Sequence, residues 1–202
     1  MAQRNPALWQ TEPIENFLSH HHLFRGINRN IWQYWGDDIS DIQENFITFP
    51  RKSETTPELS VDWNKYCQDP KDTLMRLFLT SYSKKHNSSI NLTIQDLGIS
   101  LSSSIYGLSI EDLTISNDIV FMARKKNGII RFKISELMRL IEKEELPITL
   151  RHDPIKYTNQ INPFLNRAHS IIEGFTRINY TKIRALLRDI VKWCNGFEPI
   201  IE

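Results

Sequence analysis

The pair Asn127-Gly128, between the runs DIVFMARKK and IIRFKI, constrains the local fold more tightly than any other short stretch of this sequence. A two-residue type I′ turn needs a positive φ at both central residues, and asparagine followed by glycine meets that need best. The pair therefore predicts a β-hairpin at 118–134. In the register that this turn sets, Ala123 faces Phe132, so one side of the hairpin is apolar and the other is solvated.

Helical and strand patterns alternate irregularly in the rest of the chain. Strands are expected within 22–28, 58–63 and 147–154, and helices within 69–82 and 180–193, where apolar residues recur at helical spacing. Such a mixture, with an antiparallel hairpin in it, favours an α+β fold over repeating β-α-β units. We therefore predict a mixed, mainly antiparallel sheet, the hairpin at 118–134 and a packed C-terminal amphipathic helix.

Composition indicates an ordinary globular protein. The 202 residues are 40% apolar and 24% charged, with a net charge of +1. We expect an N-terminal lead-in at 1–21 and a single α+β domain at 22–202. Cys67 and Cys194 are too few for a disulfide framework, the N-terminus lacks a signal peptide's apolar core, and no apolar stretch approaches ~18 residues. The expected location is therefore the cytoplasm, without membrane contact, and the oligomeric state stays open.

His169 and Glu173, four residues apart, are the first candidates for chemistry. On a helix they share one face and can form an acid–base pair, whereas on a strand they lie about 13 Å apart and the pair dissolves. Capping or hydrogen bonding is the alternative to a catalytic role. If the chain is an enzyme, its site is expected to use Arg25, Arg51, Asp62, His152, His169 and Glu173.

Motifs for metals and nucleotide cofactors are missing from the sequence. It has no Cys-x-x-Cys or His-Glu-x-x-His spacing, and its seven glycines form no phosphate-binding loop. We therefore expect no metal ion and no cofactor.

Basic residues are more ordered than the net charge suggests. In the predicted hairpin Arg124 faces Arg131, and like charges opposite each other on a strand pair are unfavourable unless an acid or an anion relieves them. On the predicted last helix, three basic residues form a stripe opposite the apolar face. The candidate binding residues are therefore Arg124, Arg131, Lys133, Arg184, Arg188 and Lys192.

Two segments, PRKSETTPELSVDWNKY at 50–66 and HDPIKYTNQINPFLNRAHSIIEG at 152–174, carry a resemblance. They resemble a group of small uncharacterised bacterial proteins that pair an ELSVD segment with a downstream DP…N-x-AH-x-x-I-x-G segment. The similarity covers about a fifth of the chain and implies no established activity. It implies convergence of Arg51, Ser60, Asp62, His169 and Gly174.

Three short motifs, LFRGI at 23–27, SLSSS at 100–104 and EKEE at 142–145, follow one another in the order found in arginine-serine-glutamate ADP-ribosyltransferases and resemble that family's motifs. In the family, the arginine and serine hold the dinucleotide and the glutamate stabilises the transferring ribosyl centre. The resemblance implies these roles for Arg25, Ser102 and Glu144 or Glu145. The chain departs from the family in having serines alone where a Ser-Thr-Ser pattern is expected.

Two functions are compatible with these observations. The first is a non-catalytic accessory or regulatory protein, in a bacterial defence or mobile-element context, that binds a protein partner or a nucleic-acid backbone through its basic faces. The second is an enzyme on a nucleotide or phosphate-containing substrate, with ADP-ribosyltransferase-like or nuclease-like activity. The enzyme requires the candidate catalytic side chains to meet in one cleft.

Overall fold

The computed structural model describes residues 15–35, 41–47, 58–85, 115–154, 166–176 and 178–201, with the backbone alone at 79–85. Within these ranges six strands form one open antiparallel sheet in the order β4-β5-β2-β1-β3-β6. The strands are β1 His22–Asn28, β2 Leu59–Trp63, β3 Asn127–Lys133, β4 Thr149–His152, β5 His169–Glu173 and β6 Lys192–Trp193. The helices are α1 Arg29–Trp32, α2 Pro70–Lys85, α3 Asn117–Arg124, α4 Ile134–Lys143 and α5 Tyr180–Arg188. The predicted α+β class with an antiparallel sheet is confirmed.

A buried core lies on each face of the sheet. Side chains alternate along each strand, so Leu23 and Ile27 on β1 enter one core while Phe24 between them enters the other. The first core packs on α4 and α5, and the second packs on α2 and α3. In the described part of the chain, no helix combines the length and the apolar character needed to cross a bilayer.

The predicted hairpin at 118–134 is wrong in its first half, because residues 117–124 form α3. Ile119 and Ala123, four residues apart, are buried on one side of that helix, a spacing that fits a helix as well as the predicted strand. The second half is β3, which pairs with β1 over the whole length from His22↔Lys133 to Asn28↔Asn127. Arg124 therefore does not face Arg131.

Asn127 and Gly128 have other roles than a type I′ turn. Nδ2 of Asn127 donates to the carbonyl oxygen of Ala123 at 3.3 Å, which satisfies a group near the end of α3. Gly128 has no positive φ; a Cβ there would strike the rings of Pro199 and Trp193. The glycine is therefore needed for close packing, and its conformational freedom is not used.

The C-terminal helix is present and packed, but it is shorter than predicted. Ile183 and Leu187 of α5 are buried, and the helix ends at Arg188. Lys192 then lies in β6, where Ile130 pairs with Trp193. After the helix, β6 supplies hydrogen-bond partners to the backbone at the outer edge of β3.

Candidate functional site

A cavity lies where two central strands separate. β1 pairs with β2 at Leu23↔Trp63 and Phe24↔Asp62, and the register extends no further. Beyond this point Nη1 of Arg25 donates to the carbonyl oxygen of Ser60 at 2.8 Å. The opening leads into a cavity of about 260 Å³ under α2. Its polar and charged lining includes Arg25, Ser60, Asp62, Arg76, Asn166 and His169.

Asp62 is the centre of a buried hydrogen-bonded cluster at the cavity. Its Oδ2 accepts from Nη1 of Arg76 at 2.7 Å and from Oγ1 of Thr73 at 2.8 Å, and its Oδ1 accepts from Nδ2 of Asn166 at 3.0 Å. Burial alone would raise the pKa of Asp62, but the charge of Arg76 and the two neutral donors outweigh burial and lower it. Asp62 is therefore ionised at neutral pH and held in one position.

His169 lies between a hydroxyl group and a carboxylate. Its Nδ1 is 2.8 Å from the carbonyl oxygen of Asp153 and 3.3 Å from Oδ2 of the same residue. Both are acceptors, so Nδ1 carries a proton. Its Nε2 lies 3.4 Å from Oγ of Ser60. Ser60, His169 and Asp153 thus have the mutual contacts of a nucleophile, a base and the acid that orients the base.

The electrostatics of this group favour a basic imidazole. Burial alone would lower the pKa of His169, but its hydrogen bonds to Asp153 and the negative charge of Asp62 raise it above the usual value. The hydrogen bond from His169 in turn lowers the pKa of Asp153. Asp153 is held on its other side by Nη1 of Arg151, 3.2 Å from Oδ1. The carboxylate is therefore ionised and restrained on both sides.

Arg25 lies at the gap between β1 and β2, and its side chain follows Leu23 and Ile27 toward the face of the sheet that carries α5, where Tyr180 is near. Among the described residues it has no carboxylate partner, and its Nε is buried without a hydrogen-bond acceptor. Burial lowers the pKa of Arg25 to about 10, and the side chain stays charged at neutral pH.

The structure brings Asp62 and His169 together, with Arg25 at the neighbouring gap between β1 and β2, but it separates His152 and Glu173 from them. In the β4–β5 register His152 pairs with Ser170, so its ring lies on the opposite face of the sheet from His169. Glu173 lies at the far end of β5 from His169, where Nε of Arg151 approaches it at 3.4 Å. His169 and Glu173 therefore lie on a strand, too far apart to act as an acid–base pair.

His152 has a structural environment. Its ring stacks on Tyr66 with centroids 5.7 Å apart and meets Trp63 edge-on at 5.1 Å. Nδ1 accepts from the backbone N–H of Glu15 at 3.3 Å, while Nε2 lies 2.8 Å from the carbonyl oxygen of Arg167 and donates to it. Both ring nitrogens are thus engaged by backbone groups.

Part of the remaining prediction lies outside the described residues, namely Arg51 and Ser102. Of the convergence implied by the first resemblance, Ser60, Asp62 and His169 do meet. Gly174 follows β5 with φ 97° and does not line the cavity. Glu144 and Glu145 follow the end of α4 and are not part of the cavity lining either.

The predicted basic face of the hairpin is rearranged. Arg124, at the end of α3, donates from Nε and Nη2 to the carbonyl oxygen of Glu198 at 3.3 and 3.1 Å. Arg131 pairs with Lys192 across β3 and β6. Lys133 lies 3.1 Å from Oε1 of Glu136. Two of these four basic side chains therefore have partners inside the protein.

The other two basic residues lie on α5 and contact the 3-10 turn Glu44–Phe46. Nε of Arg184 donates to the carbonyl oxygen of Glu44 at 2.7 Å, and Arg188 reaches Oε1 of Glu44 at 3.3 Å and Oδ1 of Asp189 at 2.8 Å. An open hollow of about 480 Å³ near β6 is lined by Arg188 and Lys192 together with Asp41 and Asp189. The two acidic residues in this hollow offset the charge of the two basic residues.

Sequence reasoning missed Thr73, Arg76 and Asn166, and it selected His152 where Asp153 is the neighbour of His169. One signal was available for Asp153: adjacent residues of a strand point to opposite faces, so only one of the two can share a face with His169. Nothing in the sequence indicates that Arg76 is buried, because its contact with Asp62 joins different elements.

Among the described residues, no group of three or more His, Cys, Asp and Glu side chains is arranged to hold a metal ion. No protein-family model matches the chain, and no curated protein or solved structure matches it. The inference of function therefore depends on the geometry of this cavity.

Proposed function

We propose that this protein is an enzyme in which Ser60 is the nucleophile, His169 its general base and Asp153 the group that orients the histidine. The observation that carries the proposal is the chain of contacts from Oγ of Ser60 to Nε2 of His169 and from Nδ1 of His169 to Asp153, at a cavity. A hydroxyl group becomes an effective nucleophile when an adjacent base accepts its proton and a third group holds that base.

The proposed reaction is a group transfer in two steps. Oγ of Ser60 bonds to the electrophilic atom of the substrate while Nε2 of His169 accepts the hydroxyl proton, and the leaving group departs with that proton. A water molecule then attacks the covalent intermediate, giving its proton to Nε2. The bond to Oγ breaks, Oγ recovers the proton, and the net reaction is hydrolysis. Asp153 keeps Nδ1 protonated throughout.

Asp62 has a positioning role in this proposal. Its two oxygens are occupied by Arg76, Thr73 and Asn166, so it is not free to accept a proton from a substrate. Its charge lies near His169 and stabilises the imidazolium that forms when Ser60 attacks.

The competing proposal is a non-catalytic protein that binds a partner or nucleic acid through its basic faces. It has less support, because Arg124, Lys133, Arg184 and Arg188 contact groups of the protein itself. This proposal depended on Arg124 facing Arg131 across a hairpin, and among the described residues that pair is absent because Arg124 lies on α3. We therefore favour the enzyme.

A fluorophosphonate reagent tests the proposal without knowledge of the substrate. An activated serine displaces fluoride from phosphorus, and its proton passes to the base. We expect one covalent adduct on the full-length protein by intact mass spectrometry, located on Ser60 by peptide mapping. Ser60→Ala should not react, and His169→Ala should react about 10²–10⁴ times more slowly because the base is missing.

Ser135→Ala is the matched control, since Ser135 is an exposed serine outside the cavity. This variant should react like the wild type. The proposal is wrong if the wild type forms no adduct at Ser60 while a known serine hydrolase reacts under the same conditions, or if Ser60→Ala reacts as fast as the wild type.

A further inference from the structure

We infer that the backbone N–H groups of Gly26 and Ser60 bind the oxyanion that forms when Ser60 attacks a carbonyl substrate. This inference rests on the proposed function and deepens it. It adds Gly26 to the residues that act on the reacting atoms, and it names the substrate class as an ester or amide of a small acid. The observation behind it is the backbone register of β1 and β2 at the cavity.

The N–H of Gly26 points into the gap between β1 and β2. In an antiparallel ladder, the backbone groups of every second residue face the same neighbouring strand. The carbonyl oxygen of His22 accepts from the N–H of Asn64 at 3.0 Å, so the even-numbered residues of β1, including Gly26, face β2. On the other side, Gly26 lies opposite Ile129, whose N–H and carbonyl oxygen are hydrogen-bonded to the C-terminal segment and not to β1.

The N–H of Ser60 points into the same gap from β2. The N–H of Trp63 donates to the carbonyl oxygen of Ala168 at 2.7 Å, on the side of β2 where β5 lies. By alternation, the backbone groups of Ser60 face β1. A continued register would pair Ser60 with Gly26, but the ladder between β1 and β2 ends before that pair. The two N–H groups therefore lack the partners that a continued ladder would give them.

Arg25 occupies the acceptor that would otherwise pair with Gly26. Its Nη1 donates to the carbonyl oxygen of Ser60 at 2.8 Å, which is the acceptor for the N–H of Gly26 in a regular ladder. The side chain of Arg25 comes from the face of the sheet that carries α5, whereas the hydroxyl group of Ser60 lies on the α2 face. The N–H of Gly26 can therefore donate to a substrate that enters from the α2 face.

Two N–H groups beside a nucleophilic hydroxyl match the needs of a carbonyl reaction. When Oγ of Ser60 bonds to the carbonyl carbon, the π electron pair moves to the carbonyl oxygen, and the hydroxyl proton passes to the neutral Nε2 of His169. Fixed backbone N–H groups near this oxygen stabilise its new negative charge without reorganisation. The carbonyl bond then re-forms, and the leaving group departs with the proton from Nε2.

The cavity limits the acyl group. Its volume of about 260 Å³ is below the roughly 300–1,000 Å³ of pockets for drug-sized ligands. Phe24 and Leu77 belong to its lining, and Leu77 lies so close to Gly26 that a Cβ at that position would strike it. Asp62 and Arg76 neutralise each other at 2.7 Å. The site therefore suits the acyl part of a small, uncharged ester or amide.

Amide NMR of the full-length wild type tests the inference. The probe is a fluorophosphonate with a short alkyl chain, whose phosphoryl oxygen takes the place of the oxyanion once phosphorus is bonded to Oγ of Ser60. We expect the amide proton signal of Gly26 to move downfield in the adduct, and its exchange with solvent to slow, because it becomes hydrogen-bonded. The amide signal of Gly196, outside the cavity, should not move.

A pair of variants isolates the N–H of Gly26. Leu77→Ala makes room for a side chain at position 26, and in that background Gly26→Ala keeps the N–H whereas Gly26→Pro lacks it. Proline removes no hydrogen bond from the β1–β3 ladder, because this N–H faces the gap. We expect the proline variant to hydrolyse p-nitrophenyl acetate about 10²–10³ times more slowly than the alanine variant. If the proline variant does not fold, the amide signal of the wild type decides.

Three results would overturn the inference while the proposed function stands. In the first, mass spectrometry finds the adduct on Ser60, but the amide signal of Gly26 does not move. In the second, a folded Gly26→Pro variant is as active as its alanine counterpart. In the third, Ser60 forms the adduct, but the wild type hydrolyses p-nitrophenyl acetate no faster than Ser60→Ala does. If no adduct forms at Ser60, the proposed function fails and the inference fails with it.

Discussion

Replacement of Arg76 with methionine tests how strongly the cavity depends on its buried ion pair. Arg76 and Asp62 are 6% and 8% exposed, and their charged groups are 2.7 Å apart. The variant leaves the carboxylate with the neutral donors Thr73 and Asn166. Removal of one partner of a buried pair costs about 3–5 kcal/mol, so we expect the free energy of unfolding at neutral pH to fall by that amount.

Urea denaturation followed by circular dichroism measures this loss. The double variant Asp62→Asn/Arg76→Met has no buried charge, and we expect it to be more stable than Arg76→Met alone, since the two substitutions compensate. Lys133→Met is the control, because its pair with Glu136 at 3.1 Å is partly exposed and is expected to contribute at most about 1 kcal/mol.

The effect of Arg76→Met also has a predicted pH dependence. The pKa of Asp62 is lowered in the folded wild type, so its stabilisation is present above the unfolded pKa of about 3.9 and is lost as pH falls through the folded value. Without Arg76, burial favours the protonated form of Asp62. The difference in unfolding free energy between the wild type and Arg76→Met should therefore shrink as the pH falls toward about 4. A loss below about 1 kcal/mol at neutral pH, or losses that simply add in the double variant, would refute the reasoning.

Three further predictions concern other residues. The pKa of His169 is raised on folding, so its stabilisation is present below the unfolded pKa of about 6.5 and is lost as pH rises through the folded value. Urea denaturation should therefore show a larger difference in unfolding free energy between the wild type and His169→Gln at about pH 5.5 than at about pH 8.5. Gly174→Ala, where φ is 97° and a Cβ meets backbone, should lower the unfolding temperature more than Gly196→Ala, where φ is 78° in open space; equal losses would contradict this. Burial raises the pKa of Cys67 and Cys194 to about 12, so a disulfide reagent should modify neither thiol until the protein unfolds.

Much of the secondary structure could be predicted because its signals are local. The segments 22–28, 58–63 and 147–154 contain β1, β2 and β4, and α2 begins at Pro70, within the predicted helical segment 69–82. The segment around Ile119 was misread because its apolar spacing fits both a helix and a strand. The glycine that suggested a turn is required by Pro199 and Trp193, which come from the other end of the chain.

The sequence by itself determined which side chains share a face. Ser60 and Asp62 alternate on one strand and therefore point to the same side, because the backbone geometry of a strand repeats every two residues. Only the tertiary structure decided that β5 lies against β2, where Asp62 pairs with His169, and that Asp153 completes the group. That pairing depends on how the helices cover both faces of the sheet, which is a property of the whole packed chain.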